Sequence, residues 1–256
     1  LLFIKNCFFA IKAKKNPVLF SPYNLGSNIN SEMAEYLPAI TADGNILVFT
    51  RRVEEKDKIP QEDFFISNKL ESDSFDISCP FDLAPINTSF NEGALNFSSD
   101  QNMIIYTACE RTGGLGSCDL YFGSSDNWQS IVNLGYNVNS KSWDSQGCFS
   151  PDGRYLYFVS SRPGGFGGKD IWVSEIRNGF QRAYNLGPLI NTPRDEISPF
   201  IHPDNMTFYF ASNGHVGMGD YDLFVSRRDS IQLPWEEPEN LGFPINTYLK
   251  ENSLVV

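Results

Sequence analysis

Five carboxylates recur at one spacing: Glu35, Glu92, Asp144, Glu196 and Glu251 each lie five positions after an asparagine. Carboxylates brought together from separate segments can hold a cation, or can divide the acid and base roles of glycoside hydrolysis. A glycosidase needs two or three acids that differ in depth and environment, one of them with a raised pKa. These five are equivalent by position, and none is singular. A residue type imposed once per repeat more often serves the repeat itself, by bonding backbone amides where strands begin. The five acids are therefore expected to be structural. A cation held at their ring and a glycosidase are the competing readings.

Other candidates for chemistry fail on their surroundings. The run Gly164-Gly165-Phe166-Gly167-Gly168-Lys169 has the composition of a phosphate loop. Pro163, however, stands where that motif starts with glycine, Asp170 replaces its Ser/Thr, and strand-like sequence follows where a helix is required. His202 and His215 are the only histidines and have no matching ligand set, so neither a metal nor a cofactor is expected. Five cysteines are too few for a disulfide scaffold. Cys7 and Cys148 read as small buried hydrophobes, and Cys79 carries no reading. Cys109 and Cys118 flank the loop 111–117. Directly opposite in an antiparallel pair, with Cα atoms about 5.5 Å apart, they would suit a disulfide. A slip of one residue would point the thiols apart, so a bond and two free thiols both stay open.

The elements that position these residues follow from an internal repeat. Asn-Leu-Gly occurs at 24–26, 133–135, 185–187 and 240–242, with a degraded copy, Asp-Leu-Ala, at 82–84. After each comes a branched residue and asparagine: Ile29-Asn30, Ile86-Asn87, Val138-Asn139, Ile190-Asn191 and Ile245-Asn246. Thirteen positions after the first four of these asparagines stands Asp43, Asp100, Asp152 or Asp204, and nineteen after stands Phe49, Tyr106, Phe158 or Phe210. The asparagines recur after 57, 52, 52 and 55 residues. Each copy predicts a four-stranded antiparallel sheet. A short first strand meets an Asp-Gly or Asp-Asn type turn. The second strand is apolar on both faces, which requires burial from both sides. The third opens on Asp63, Asp119, Asp170 or Asp222, and the fourth is brief with a nearby Trp128, Phe180 or Trp235. Radially repeated sheets of this kind make a β-propeller.

The expected fold is thus all-β, with four full blades plus a split, incomplete fifth, preceded by one α-helix. The fifth would combine a fourth strand within 16–24 with a first strand over 251–256. Its second and third strands are not in this sequence, so the chain reads as a fragment. Residues 1–16 form a separate piece. Leu1, Ile4, Phe8 and Ile11 recur at helical spacing, Lys12, Lys14 and Lys15 fill the last turn, and Pro17 ends it. This helix is expected to close a preceding helical, TPR-like domain, and residues 17–256 to form the propeller.

Twenty basic and thirty-one acidic side chains leave a net charge of −11, which repels phosphate backbones and anionic lipid and so excludes a nucleic-acid partner. No apolar run approaches the roughly 20 residues that span a bilayer. Loops before the first strands and the glycine-rich loops 111–117, 162–169 and 213–219 must emerge on one face of the disc, because antiparallel strands alternate direction. Arg111, Gly114, Gly116, Arg162, Phe166, Lys169, His215 and Met218 are its candidate contacts.

The stretch SPDGRYLYFVSSRPGGFGGKDIWVSE at 150–175 resembles the PD40, or WD40-like, repeat of TolB-type propellers. With Asn-Leu-Gly, Ile-Asn, the acid and the Gly-Gly-x-Gly loop, it is similar to propellers of OmpA-associated envelope proteins of Bacteroidota. Asn6-Cys7-Phe8-Phe9-Ala10, Asn16-Pro17-Val18, Glu35-Tyr36-Leu37-Pro38 and Phe49-Thr50-Arg51 resemble the PorE-like components of the type IX secretion system. Ser125-Asp126-Asn127-Trp128 is faintly similar to a sialidase Asp-box, but it lacks the following glycine and occurs once. The resemblance to the envelope family implies a non-catalytic scaffold at the periplasmic side of the outer membrane. Its partners would be other envelope or secretion-system proteins, with peptidoglycan reached only through domains absent here. A glycoside hydrolase or a carbohydrate- or solute-binding propeller is the alternative.

Overall fold

As a computed structural model, the chain is described over residues 2–54, 59–81, 86–124 and 127–255, the side chains of 127–129 excepted. Helix α1 (Leu2–Lys15) opens it, with Lys12, Lys14 and Lys15 at its carbonyl end, where cations are favoured. Asn16 Nδ2 donates back to Lys12 O at 3.0 Å, and Pro17 follows. The helix buries none of its side chains. Cys7, expected inside, is therefore exposed, whereas Cys148 is buried.

Four antiparallel sheets follow, each made of consecutive strands in sequence order. The first comprises β1 (Glu35–Ile40), β2 (Ile46–Val53), β3 (Gln61–Asn68) and β4 (Cys79–Pro80). The second comprises β5 (Glu92–Phe97), β6 (Met103–Cys109), β7 (Cys118–Ser124) and β8 (Asn127–Asn133). The third has β9 (Asp144–Phe149), β10 (Tyr155–Ser160), β11 (Asp170–Glu175) and β12 (Tyr184–Asn185). The fourth has β13 (Glu196–Ile201), β14 (Thr207–Ser212), β15 (Asp222–Arg227) and β16 (Glu239–Asn240). Strands β1, β5, β9 and β13 pack in series, so the first strand of each blade is the innermost and the sheets splay outward as a propeller.

The apolar second strands are sandwiched as their composition requires. Ile104 and Tyr106 of β6 join Val48 and Phe64 of blade one, while Ile105 between them joins Phe149 and Leu156 of blade three. In β10, Phe158 packs toward blade two and Tyr157 toward Phe208 and Trp235 of blade four. Alternation along one strand thus fills two interfaces. Each fully buried ring or branched chain contributes about 1.5–3 kcal/mol.

Every inner strand carries the same interruption. Leu37, Ala94, Gln146 and Ser198, each two residues after the repeated acid, have φ between 50° and 56°. The ladder register shifts at these points, as at a β-bulge. The freed amides turn to a neighbouring blade. Ala94 N–H donates to Thr50 Oγ1 at 3.1 Å, Gln146 N–H to Thr107 Oγ1 at 3.1 Å, and Ser198 N–H to Gln146 Oε1 at 2.8 Å.

The fifth repeat is held differently from the four blades. Residues 16–24 and 251–255 form no ladder, since among the described residues neither has a second strand beside it. One backbone bond ties each to blade four and its exit: Val18 N–H donates to Phe243 O at 2.7 Å, and Glu251 N–H to Tyr221 O at 2.9 Å. Ser253 and Leu254 still line the central channel beside the four inner strands. The degraded copy at 82–84, the Ser125-Asp126 pair and the Trp128 side chain lie outside the described residues, as does Val256.

Candidate functional site

Each repeated acid closes a turn of five residues. Glu35 accepts bonds from Ser31 N–H and Oγ, Glu92 from Thr88, Asp144 from Ser140, Glu196 from Thr192, and Glu251 from Thr247. In three blades an arginine then pairs with the acid. Arg51 Nε reaches Glu35 at 2.8 Å, Arg111 reaches Glu92 at 3.1 Å and Arg162 reaches Asp144 at 2.5 Å. The same guanidinium donates to a carbonyl of the branched residue before the repeated asparagine: Ile29, Ile86 or Val138. It also lies over two rings, one from the second strand and one from the third. These are Phe49 and Phe65 for Arg51, Tyr106 and Tyr121 for Arg111, and Phe158 and Trp172 for Arg162, at 4.2–5.6 Å.

Blade four puts histidine in this place. His215 Nε2 bonds Ile190 O at 2.8 Å, and the ring packs on Phe210 and Phe224. Ser212 Oγ, at 2.6 Å, supplies the direct donor to Glu196. Burial pushes the carboxyls of Glu92 and Glu196 above the usual range, against the downward pull of these donors and cations.

A second network accounts for the remaining repeated residues. Asp119 accepts from the amides of Leu115 and Gly116, Asp170 from Phe166 and Gly167, and Asp222 from Met218 and Gly219. The asparagine of Asn-Leu-Gly donates to the same aspartate from Asn133, Asn185 or Asn240. Asn139, Asn191 and Asn246 bond that asparagine and also both backbone groups of the residue after the aspartate: Leu120, Ile171 or Leu223. Burial raises the Asp222 carboxyl despite these bonds.

The structure separates the candidate contacts into inward and outward sets. Arg111, Arg162 and His215 turn inward onto the acids and rings. A Cβ at Gly114 would press on Asp119 of the same blade, and one at Gly116 would overlap Ser142 O, so Gly114 lets the loop fold onto Asp119 and Gly116 lets it lie against the next blade. Gly167 meets Arg194 O and Gly219 meets Leu249 O in the same way, which puts the glycine-rich loops beside the loops that lead into the first strands. Phe166 is exposed, Lys169 lies over Trp143 at 4.4 Å, and Met218 is half-buried. Gly217 beside it donates to Asn6 Oδ1 of α1 at 3.3 Å.

Cys109 and Cys118 are ladder partners joined by a disulfide, with Cα atoms 3.9 Å apart. The bond from Glu110 N–H to Ser117 O, at 3.0 Å, makes theirs the narrow, non-hydrogen-bonded position, so they stand closer than the wider 5.5 Å spacing.

The acids do not line the channel. Its walls are Leu37, Ala94, Gln146, Ser198 and neighbours, opening to a funnel of about 560 Å³ among Pro38, Phe97, Pro151 and Phe200. Among the described residues, no charged one lines either space. Among the described residues no three His, Cys, Asp or Glu side chains converge as a metal site. No described helix is long and apolar enough to cross a membrane.

Sequence reading missed two sets of partners. The Ser or Thr after every repeated asparagine was there to be seen: Ser31, Thr88, Ser140, Thr192 and Thr247. The basic partner was not, because it follows the acid by 16, 19 and 18 residues in the first three blades.

These blades define a β-propeller with a TolB-like fold, whose repeated carboxylates are consumed by the turn entering each inner strand and by a basic or hydroxyl partner of the same blade. The fold is similar to that of TolB from Acinetobacter baumannii, with a TM-score of 0.54 and 16% identity over 84% of this chain. This chain spans 45% of the length of that TolB. It is also similar to a thermostable family-43 glycoside hydrolase, with a TM-score of 0.51 and 14% identity over 86% of this chain and 76% of that one. An α-L-arabinofuranosidase from Lactobacillus brevis gives 0.52 and 13%, over 81% and 72%. At such identities the likeness is one of fold. No family model and no curated protein matches the chain.

Proposed function

We propose that this propeller is a non-catalytic protein-interaction scaffold on the periplasmic side of the outer membrane, within a type IX secretion machinery. Its link to peptidoglycan would run through domains outside this chain. One observation carries the non-catalytic part: every repeated carboxylate is bonded by its own Ser/Thr turn, and none lines the channel. Glycoside hydrolysis needs paired carboxyls of unlike environment facing one cavity. The disulfide supports an oxidising compartment. The outward set on the loop face, with Phe166 at its tip, supplies variable contact surface.

The test is capture of partners from envelope extracts by the propeller and by Phe166→Asp, an exposed change that leaves the acid clasps intact. The scaffold reading expects a secretion component bound by the first and lost from the second at unchanged Tm. Turnover of a glycoside, abolished by one acid-to-amide change in a folded variant, would overturn it.

A further inference from the structure

Beside blade three lies a pocket of about 390 Å³ whose wall shares Asn139, Ser140, Arg162 and Trp172 with the bonded networks of the repeat and adds residues that those networks leave unused. Its size is that of a small-ligand site. Lys141, Arg162 and Arg182 line it, with Tyr136 and Trp172, and among the described residues no carboxylate does. Arg162 is committed to Asp144. Lys141 and Arg182 are exposed and have neither an ion pair nor a hydrogen bond among the described residues. In a chain of net charge −11, two uncompensated cations facing one concavity produce a local field opposite to that of the whole molecule. Trp172 is part of the wall, its indole N–H buried and without an acceptor among the described residues. Tyr136, 73% exposed, also lines the pocket and is open to a ligand.

We propose that this pocket binds an acidic saccharide, its oxyanion held between Lys141 and Arg182 and its sugar ring against Tyr136. The planar guanidinium fork matches a carboxylate or a phosphate, and the ammonium adds a point charge. A pocket offering donors and no acidic side chain selects acceptors and negative charge. An acidic peptide fits less well, because only two uncommitted cations converge here and no free strand edge adjoins them to hold an extended backbone. The neighbouring edge strand, β12, has two residues, and the backbone beside it is engaged: Ala183 N–H donates to Asn137 O at 2.8 Å.

Isothermal titration with D-glucuronate, glucose 6-phosphate, glucose and a glutamate-rich hexapeptide tests this, using the whole chain and the variants Lys141→Ala/Arg182→Ala and Tyr136→Ala. The two acidic sugars separate a carboxylate from a phosphate ligand. At least one is expected to bind roughly tenfold or more tighter than glucose, which is the discrimination expected of charge-assisted contacts. The double variant should lose that margin at unchanged Tm, and Tyr136→Ala should weaken every sugar that binds. Equal binding of glucose, binding unchanged in the double variant, or no heat with any sugar would overturn the proposal. Binding of the peptide alone would replace the saccharide with an acidic protein segment.

Discussion

Arg162 holds three kinds of partner at once: the Asp144 carboxylate, the Val138 carbonyl, and the faces of Phe158 and Trp172. The Asp144 side chain is fully buried, so removal of the cation leaves a charge without its counter-ion. Arg162→Ala is expected to cost about 3–5 kcal/mol, read as a lowered urea midpoint. Arg162→Lys should recover only part of this, because an ammonium lacks the planar fork and stacks less well. A loss below 1 kcal/mol for the alanine would contradict the clasp. Glu196 gives the residue scale a pH signature. Its carboxyl is raised above the ordinary 4.5 by burial. In the interval above 4.5 the folded chain therefore keeps a proton that the unfolded chain has released. Stability falls as pH rises through that interval, and rises again on acidification until both states are protonated. Glu196→Gln removes this contribution. The difference in Tm between parent and variant should change across the interval, and a pH-independent difference would mean that Glu196 does not titrate there.

The inner strand is the element that converts the repeat into a propeller, and its bulge is what ties blade to blade. Thr107 of β6 is buried; its hydroxyl receives Gln146 N–H at 3.1 Å and bonds Ser145 Oγ at 2.9 Å. Thr107→Val keeps the shape but leaves a buried amide without an acceptor, at about 1–3 kcal/mol. Thr107→Ser should retain the bond and most of the stability, a contrast measurable by denaturant titration. The Cys109–Cys118 bond closes a loop of nine residues' separation. Replacing both cysteines by serine should cost about 2–3 kcal/mol on the chain-entropy account. Thermal melts with and without reductant should differ in the parent and coincide in the variant. The elements were differently legible. Constant offsets revealed the acids, the asparagines and the apolar second strands, since each repeat must present them at one place. The bulges left no signature: Leu37, Ala94, Gln146 and Ser198 share a backbone conformation and no side-chain chemistry. The arginine clasp was hidden because Arg51 sits on the ladder opposite Glu35, whereas Arg111 reaches back from a loop beyond the strand. Three of the fourth strands shrink to two residues because their ladders have only two paired positions. An aromatic nearby could not reveal that length.

At the scale of the molecule, the blades are chemically alike but unequally enclosed. Blades two and three have a core on both faces, with Ile104, Ile105, Leu156, Phe158 and Ile171 fully buried. Blade one shares a large core with blade two. On its other side Ile29, Leu47 and Phe49 form a small cluster bordering a cavity of about 330 Å³. The segment 241–255 has the same acid turn, at Glu251, and the same asparagine bridge, at Asn246, but no ladder. Backbone amides exchange through local openings whose free energy rises with buried contacts and paired neighbours. Native-state hydrogen exchange should therefore be slowest in β6 and β10, intermediate in β2, and fastest in 19–28 and 252–255. At the borders of these segments, the amides of Val18 and Glu251 should stand out as protected, because they donate to Phe243 O and Tyr221 O. A single rate across all four blades would mean that the propeller opens only as one cooperative unit, with the bulge bonds coupling its blades. A β2 as slow as β10 would mean that the small outer cluster encloses blade one as well as a full interface does.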